Sequence, residues 1–163
     1  MKLVDILKDR EELSSIRKCY LNEIDSTLLQ ITLNIPGENK NIPEVLFLFS
    51  EALNSIRSLF LSDDIKFKIL YLSESYVGPT SFIMVDCNAK DVKNMCLGLE
   101  DTHPLSKYWD LDVFNREGMK VSRDPERAKK CFICEKKAKI CVFMQSHSIE
   151  ELLNQLSFDI ANY

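Results

Sequence analysis

Trp109-Asp110-Leu111-Asp112-Val113 alternates apolar and acidic residues with period two. On a β-strand that period sends both carboxylates to one face and Trp109, Leu111 and Val113 to the other. Neighbouring carboxylates repel, and a divalent cation held between them removes the repulsion. Oxygen donors of this kind suit Mg²⁺ or Mn²⁺, and protein-bound Mg²⁺ is usually shared with substrate phosphates. The competing reading is an edge strand with its charged residues turned to solvent. Just upstream, Glu100-Asp101-Thr102-His103-Pro104 sets an imidazole among carboxylates. Nearby negative charge is expected to raise the His103 pKa and make it a general base or acid near neutrality. Otherwise His103 is a loop residue that bonds to the backbone and holds the Pro104 turn.

A second constellation lies near the C-terminus. Cys131, Cys134, Cys141 and His147 have the spacing C-x2-C-x6-C-x5-H. Three thiolates and an imidazole suit tetrahedral Zn²⁺, and a closed site of that type would staple a short segment to the body. The alternative is a set of small buried thiols, with His147 merely flanking a helix start. A third candidate is the turn Pro36-Gly37-Glu38-Asn39-Lys40, where helix-start amides and one lysine could cradle phosphate. Basic residues also cluster at Arg123, Arg127, Lys129, Lys130, Lys136, Lys137 and Lys139. Such a cluster is either a solvated face or a phosphate-holding one.

The elements that position these groups follow from periodicity. Leu3, Ile6, Leu7, Leu13, Ile16 and Tyr20 recur at helical spacing. Leu29, Ile31, Leu33 and Ile35 alternate with polar residues and predict a half-buried strand stopped by Pro36-Gly37. A helix is expected from near Asn41, with Pro43 in its first turn and Val45, Leu48, Phe49, Ala52, Leu53, Ile56 and Phe60 inward. Strands are expected over 66–72 and 81–85, then a short helix marked by Val92, Met95, Cys96 and Leu99, then the acidic strand over 108–114. Residues 115–118 read as a turn. Ser148-Ile149-Glu150-Glu151 is a capping box that opens a last helix burying Ile149, Leu152, Leu153, Leu156 and Ile160.

The central order β-α-β-β-α-β is the split pattern of a ferredoxin-like α+β core. Such a core carries two helices on one sheet face and leaves the other free for a ligand. The expected organisation is one domain over 1–163, with its core at about 25–121, a Cys/His segment at 131–147 and a terminal helix at 148–161.

Composition narrows the function. A chain of 163 residues can bury roughly 70% of its unfolded surface. Net charge −4 argues against a general nucleic-acid binder. No secretory h-region forms at the charged N-terminus, and the longest apolar run, residues 45–49, is too short for a membrane span. Six cysteines without a secretory signal predict a reducing cytoplasm and free thiols or metal ligands.

Read together, several segments resemble one family. They are Ile31-Thr32-Leu33-Asn34-Ile35-Pro36-Gly37 with Lys40, then Gly78-Pro79, Leu99-Glu100-x-x-His103-Pro104-Leu105, Trp109-Asp110-Leu111-Asp112-Val113 and Ser122-Arg123. The Cys131-x-x-Cys134 run with Ala138, Cys141, His147 and Glu151-Leu152-Leu153 completes the pattern. That order is similar to the CitX family, the holo-acyl-carrier-protein synthases of citrate lyase. The chain departs from the family at Ser106-Lys107, where Gly-Arg is usual, and lysine keeps the charge without bidentate recognition. Phe143 stands where an arginine is common, and Lys129-Lys130 where an arginine pair is.

The resemblance implies a cytoplasmic Mg²⁺-dependent nucleotidyl transfer. The donor would be 2′-(5″-triphosphoribosyl)-3′-dephospho-CoA and the acceptor a serine of the apo acyl-carrier subunit of citrate lyase. Asp110 and Asp112 would hold Mg²⁺, with Glu100 as a further carboxylate. His103 would act as base or phosphate donor, and Lys40, Lys107 and Arg123 would contact the polyphosphate. The alternatives are the analogous enzyme of malonate decarboxylase, another nucleotidyltransferase, or a non-catalytic zinc-stapled module that binds the carrier.

Overall fold

Thr27–Leu33 alternates residues for two different cores, and that alternation sets the layering of the whole chain. The computed structural model describes residues 3–37, 40, 42–134 and 136–163. Its elements are α1 (Leu3–Glu23), β1 (Thr27–Leu33), α2 (Pro43–Ser62), β2 (Phe67–Ser73), β3 (Thr80–Val85), α3 (Ala89–Thr102), β4 (Trp109–Phe114), α4 (Ala138–Phe143) and α5 (Ile149–Ala161). Short 3₁₀ turns occupy Ser106–Tyr108 and Pro125–Arg127. The result is a single α+β domain around a four-stranded antiparallel sheet of order β2-β3-β1-β4.

One face of the sheet packs under α2, α3 and α5. Leu29 and Ile31 of β1, Ile83 and Val85 of β3, and Trp109, Leu111 and Val113 of β4 bury against Val45, Leu48, Ile56, Val92, Cys96 and Leu156. The helix-period residues expected in α2 are those buried, apart from half-buried Leu53. In length and apolar content α2 would pass for a membrane span, yet Val45, Leu48, Phe49, Ala52, Ile56 and Phe60 lie buried in the domain core.

The opposite face carries Leu28, Phe82 and Phe114, and α1 covers it through Leu13, Ile16 and Tyr20. The expectation of a face left open for a ligand is therefore corrected: Tyr20 crosses the Phe82 ring edge-on at 6.2 Å and donates to the Leu70 carbonyl at 2.9 Å. Arg17 stacks over Phe114 at 4.6 Å and donates to Gln30 Oε1 at 2.8 Å.

Element boundaries shift at several places. β1 ends at Leu33, although Asn34 N–H still donates to the Tyr108 carbonyl at 2.8 Å, in step with the Leu33–Trp109 pairing. β4 begins at Trp109, since Tyr108 closes the 3₁₀ turn onto Leu105 at 3.1 Å. Glu38, Asn39 and Asn41, where the phosphate cradle and the second helix start were placed, lie outside the described residues. The turn at 115–118 forms, with Gly118 at φ +75° and a 2.9 Å bond to the Asn115 carbonyl. The Ser148 capping box forms in both directions. α4 was not foreseen: its six residues bury only Cys141, so it has no apolar stripe to read.

Candidate functional site

Two Ser106 contacts shape the first site. Ser106 Oγ lies 2.7 Å from both the Glu100 and His103 carbonyls, folding the 3₁₀ turn back onto the end of α3. This brings His103 and Lys107 beside Glu100. Arg123 then reaches in from the segment after β4, pairs with Glu100 Oε2 and donates to the Arg127 carbonyl at 3.2 Å. Arg127 in turn pairs with Asp101. A cleft of about 470 Å³ results, lined by Glu100, His103, Lys107, Arg123, Arg127, Lys129, Lys130, Cys131 and Phe132, among others. Its cations outnumber its carboxylates, so its chemistry suits a polyanion.

Lys107, Arg123, Arg127 and Lys129 each have a carboxylate partner that an incoming anion would replace. Lys107 Nζ sits 2.6 Å from Asp159 Oδ2, which also accepts from Tyr108 at 2.5 Å. Burial works to raise the Asp159 pKa, but the bonds from Lys107, Tyr108 and Gln155 outweigh it and leave it lowered. Lys129 lies 3.0 Å from Asp110 Oδ1 and also donates to the Trp109 carbonyl. Glu100 Oε1 is buried and has no hydrogen-bond partner.

Asp110 and Asp112 do share one face, opposite Thr32 and Gln30 respectively. Each is engaged by a different lysine, Lys129 for Asp110 and Lys120 at 2.6 Å for Asp112. Neither aspartate lines the cleft, but Lys129 joins Asp110 to it. Glu100 belongs to the cleft rather than to the aspartate pair. Lys40 is not brought to the cleft either. Its ammonium closes the Pro36-Gly37 turn on the Ile35 carbonyl and, at 2.7 Å, the Gly37 carbonyl, and burial lowers its pKa. Gly37 at φ +81° gives the turn a backbone that a side chain would strain.

His103 corrects an expectation. Its ring packs tilted on Trp109 with centroids 4.4 Å apart, and burial lowers its pKa, opposed by the charge of Glu51. The flanking acids do not dominate because Asp101 and Glu100 are turned to Arg127 and Arg123. Leu105 N–H donates to Nδ1 at 3.2 Å, so the neutral ring carries its proton on Nε2, 3.2 Å from Tyr163 Oη. Tyr163 donates onward to Glu51 at 2.9 Å. A depressed histidine pKa means the unfolded chain binds the proton more readily. His103 therefore contributes stability above about pH 6.5, lost as pH falls towards its native pKa. An NMR titration of the His103 ring should show a midpoint below the ordinary 6.5; a midpoint above it would contradict this geometry.

The second site is the Cys/His cluster. Ligand atoms of Cys131, Cys134, Cys141 and His147 all lie within 4.8 Å of one another, and this Cys₃His cluster could hold a metal ion. Cys134 Sγ is 3.3 Å from Cys141 Sγ and 3.2 Å from His147 Nε2. Those separations are those of four donors around one tetrahedral centre. The sequence spacing thus brings all four residues together.

Sequence reading missed Arg127 and Lys129 as cleft residues, although they stood in the basic cluster. Asp159 was missed too, and it had a signal: an acid beside Leu156 and Ile160 on the inward stripe of a helix needs a buried partner. Tyr163 and Glu51 left none.

An α+β domain with a cationic cleft beside an imidazole suits a polyanionic ligand. The chain belongs to the CitX family, apo-citrate lyase phosphoribosyl-dephospho-CoA transferase, whose sequence model matches residues 1–163. It is 31% identical over 163 residues to a probable apo-citrate lyase phosphoribosyl-dephospho-CoA transferase of Streptococcus pyogenes serotype M18, covering 96% of this chain and 84% of that protein. It is 25% identical over 158 residues to the apo-citrate lyase phosphoribosyl-dephospho-CoA transferase of Escherichia coli O9:H4, covering 96% and 86%. Protein CitXG of Haemophilus influenzae is 28% identical over 158 residues, and the match spans only 34% of that longer protein. The chain is thus a transferase of the class that attaches the prosthetic group to apo-citrate lyase.

Proposed function

We propose that the chain moves the phosphoribosyl-dephospho-CoA group from 2′-(5″-triphosphoribosyl)-3′-dephospho-CoA to a serine of the apo acyl-carrier subunit of citrate lyase. The serine Oγ–Pα bond forms, the bond from Pα to the bridging oxygen of the β-phosphate breaks, and diphosphate departs with that electron pair. The observation that carries this reading is the cleft lined by Lys107, Arg123, Arg127 and Lys129, in a chain of this family. These cations neutralise the charge that accumulates on diphosphate as it leaves. His103 turns its Nε2 proton from Tyr163 Oη to a phosphate oxygen, and Glu100 accepts the serine proton as the phosphates draw Arg123 away from it.

Asp110 and Asp112 would hold Mg²⁺ or Mn²⁺, which when bound supplies charge neutralisation to the triphosphate. Support comes from their shared face and from Lys129, which links Asp110 to the cleft. The ion in the Cys₃His cluster is read as Zn²⁺, because three thiolates and an imidazole are borderline-soft donors. The sheet is read as ferredoxin-like, supported by its order β2-β3-β1-β4 with α2 and α3 on one face. Neither nucleic acid nor membrane enters the reaction as proposed.

Mass spectrometry of the apo-carrier after incubation with enzyme, donor and Mg²⁺ tests the reading. The carrier should gain the mass of one phosphoribosyl-dephospho-CoA, with one diphosphate released per group. An unmodified carrier under these conditions refutes it. The apo-carrier of malonate decarboxylase serves as the comparison acceptor and should react more slowly.

A further inference from the structure

We infer that Zn²⁺ in the Cys131/Cys134/Cys141/His147 cluster builds one wall of the polyphosphate cleft, so that losing the metal weakens binding of the donor's phosphates. The inference rests on the cleft being the donor site. Cys131 is at once a cluster residue and a lining residue of the cleft, and its neighbour Phe132 lines the cleft too. Backbone bonds carry the connection further. Cys131 N–H donates to the Lys136 carbonyl at 2.7 Å and Ala138 N–H to the Lys129 carbonyl at 2.8 Å, with Lys130 and Lys137 bridged between them. These bonds close a loop with Cys134 in its turn and with Lys129 at the edge of the cleft.

Side chains carry the same connection to the other cations. Phe132 packs on Tyr108 with ring centres 4.7 Å apart, and Tyr108 bonds to Asp159, the partner of Lys107. The helix of this segment adds little of its own to hold it in place. α4 is six residues long, far below the length at which a helix stands alone, and only Cys141 of it is buried. Val142, Phe143 and Met144 next to it are exposed by 78%, 87% and 65%. Neutral thiols are weak hydrogen-bonding groups, so four-fold coordination is the strong interaction this chemistry offers. Metal binding in such a segment is folding free energy, and the cleft wall is part of what folds.

The test uses the full chain, purified with zinc and freed of unbound metal, and inorganic tripolyphosphate as the probe. Elemental analysis should give one zinc per chain, and Co²⁺ exchanged into the site should give an intense thiolate-to-metal absorption. Calorimetry should show tripolyphosphate affinity falling at least about tenfold after chelation, the effect expected from losing one or two charge-assisted contacts, and returning when one equivalent of zinc is restored. Phe132→Ala keeps all four ligands, so it should retain zinc and still lose affinity about threefold or more. Either of two results overturns the inference: less than stoichiometric zinc with no cobalt signal, or unchanged affinity in the chelated protein or in Phe132→Ala. If zinc-loaded protein transfers the group normally while affinity ignores the metal, this inference fails and the functional reading stands. If zinc-loaded protein binds tripolyphosphate but modifies no carrier, the functional reading is what fails.

Discussion

Asp110→Asn is expected to slow transfer to the carrier on the order of a hundredfold, the size of effect that follows when several kcal/mol of metal-borne charge stabilisation is lost. Asparagine keeps the shape of the side chain and a single acceptor oxygen but removes the charge that would hold a divalent ion. The fold should stand, because Asp110 sits at a half-exposed pair with Lys129 and such pairs add little to stability. Asp112→Asn probes the second carboxylate, whose partner Lys120 lies away from the cleft lining. Single-turnover rates at increasing Mg²⁺ separate weakened metal binding from lost chemistry. Wild-type rates in Asp110→Asn at every Mg²⁺ concentration would remove the aspartates from the reaction and leave the cationic cleft to act alone.

Arg123→Leu should lower stability by about 3 kcal/mol, the usual cost of leaving a buried charge without its partner. Glu100 is only 8% exposed, its Oε1 lacks a hydrogen bond, and among the described residues Arg123, at 22% exposure, is the cation paired with it. For a chain of 163 residues the loss corresponds to a melting temperature about 6–12 °C lower. The double variant Arg123→Leu/Glu100→Leu removes the stranded carboxylate and should regain most of that stability while remaining poor at transfer. Additive losses in the double variant would show that the pair is not coupled. Recovered stability in the double variant isolates the scaffold role of Arg123, while transfer stays poor because both the cleft cation and the carboxylate proposed to take the serine proton are gone.

Periodicity carried most of the architecture. Strand alternation at Leu29, Ile31, Leu111 and Val113 placed those residues in the main core, where they are buried. Helical spacing did the same for α2, and the capping box fixed the start of α5 to the residue. α4 escaped because a six-residue helix with one inward side chain has no period to detect. The reverse face of the sheet escaped for another reason: Leu28, Phe82 and Phe114 read as outward positions until α1 is laid across them. Which helix covers which face is a long-range choice, and local spacing does not encode it.

By itself the sequence determined the donor sets. C-x2-C-x6-C-x5-H names four metal-type ligands, and D-x-D on a strand fixes two carboxylates to one side, since pleating leaves no other arrangement. Tertiary structure alone decided which charges meet. It gave Asp110 to Lys129, Asp112 to Lys120, Glu100 to Arg123 and Lys107 to Asp159, and it turned the His103 pKa downward by burying the ring against Trp109. The physical reason is range: side-chain direction along a strand is set by neighbouring backbone, whereas ion pairing and desolvation depend on residues far apart in the chain, such as Lys107 and Asp159, 52 positions apart (159 − 107) and brought together only by packing.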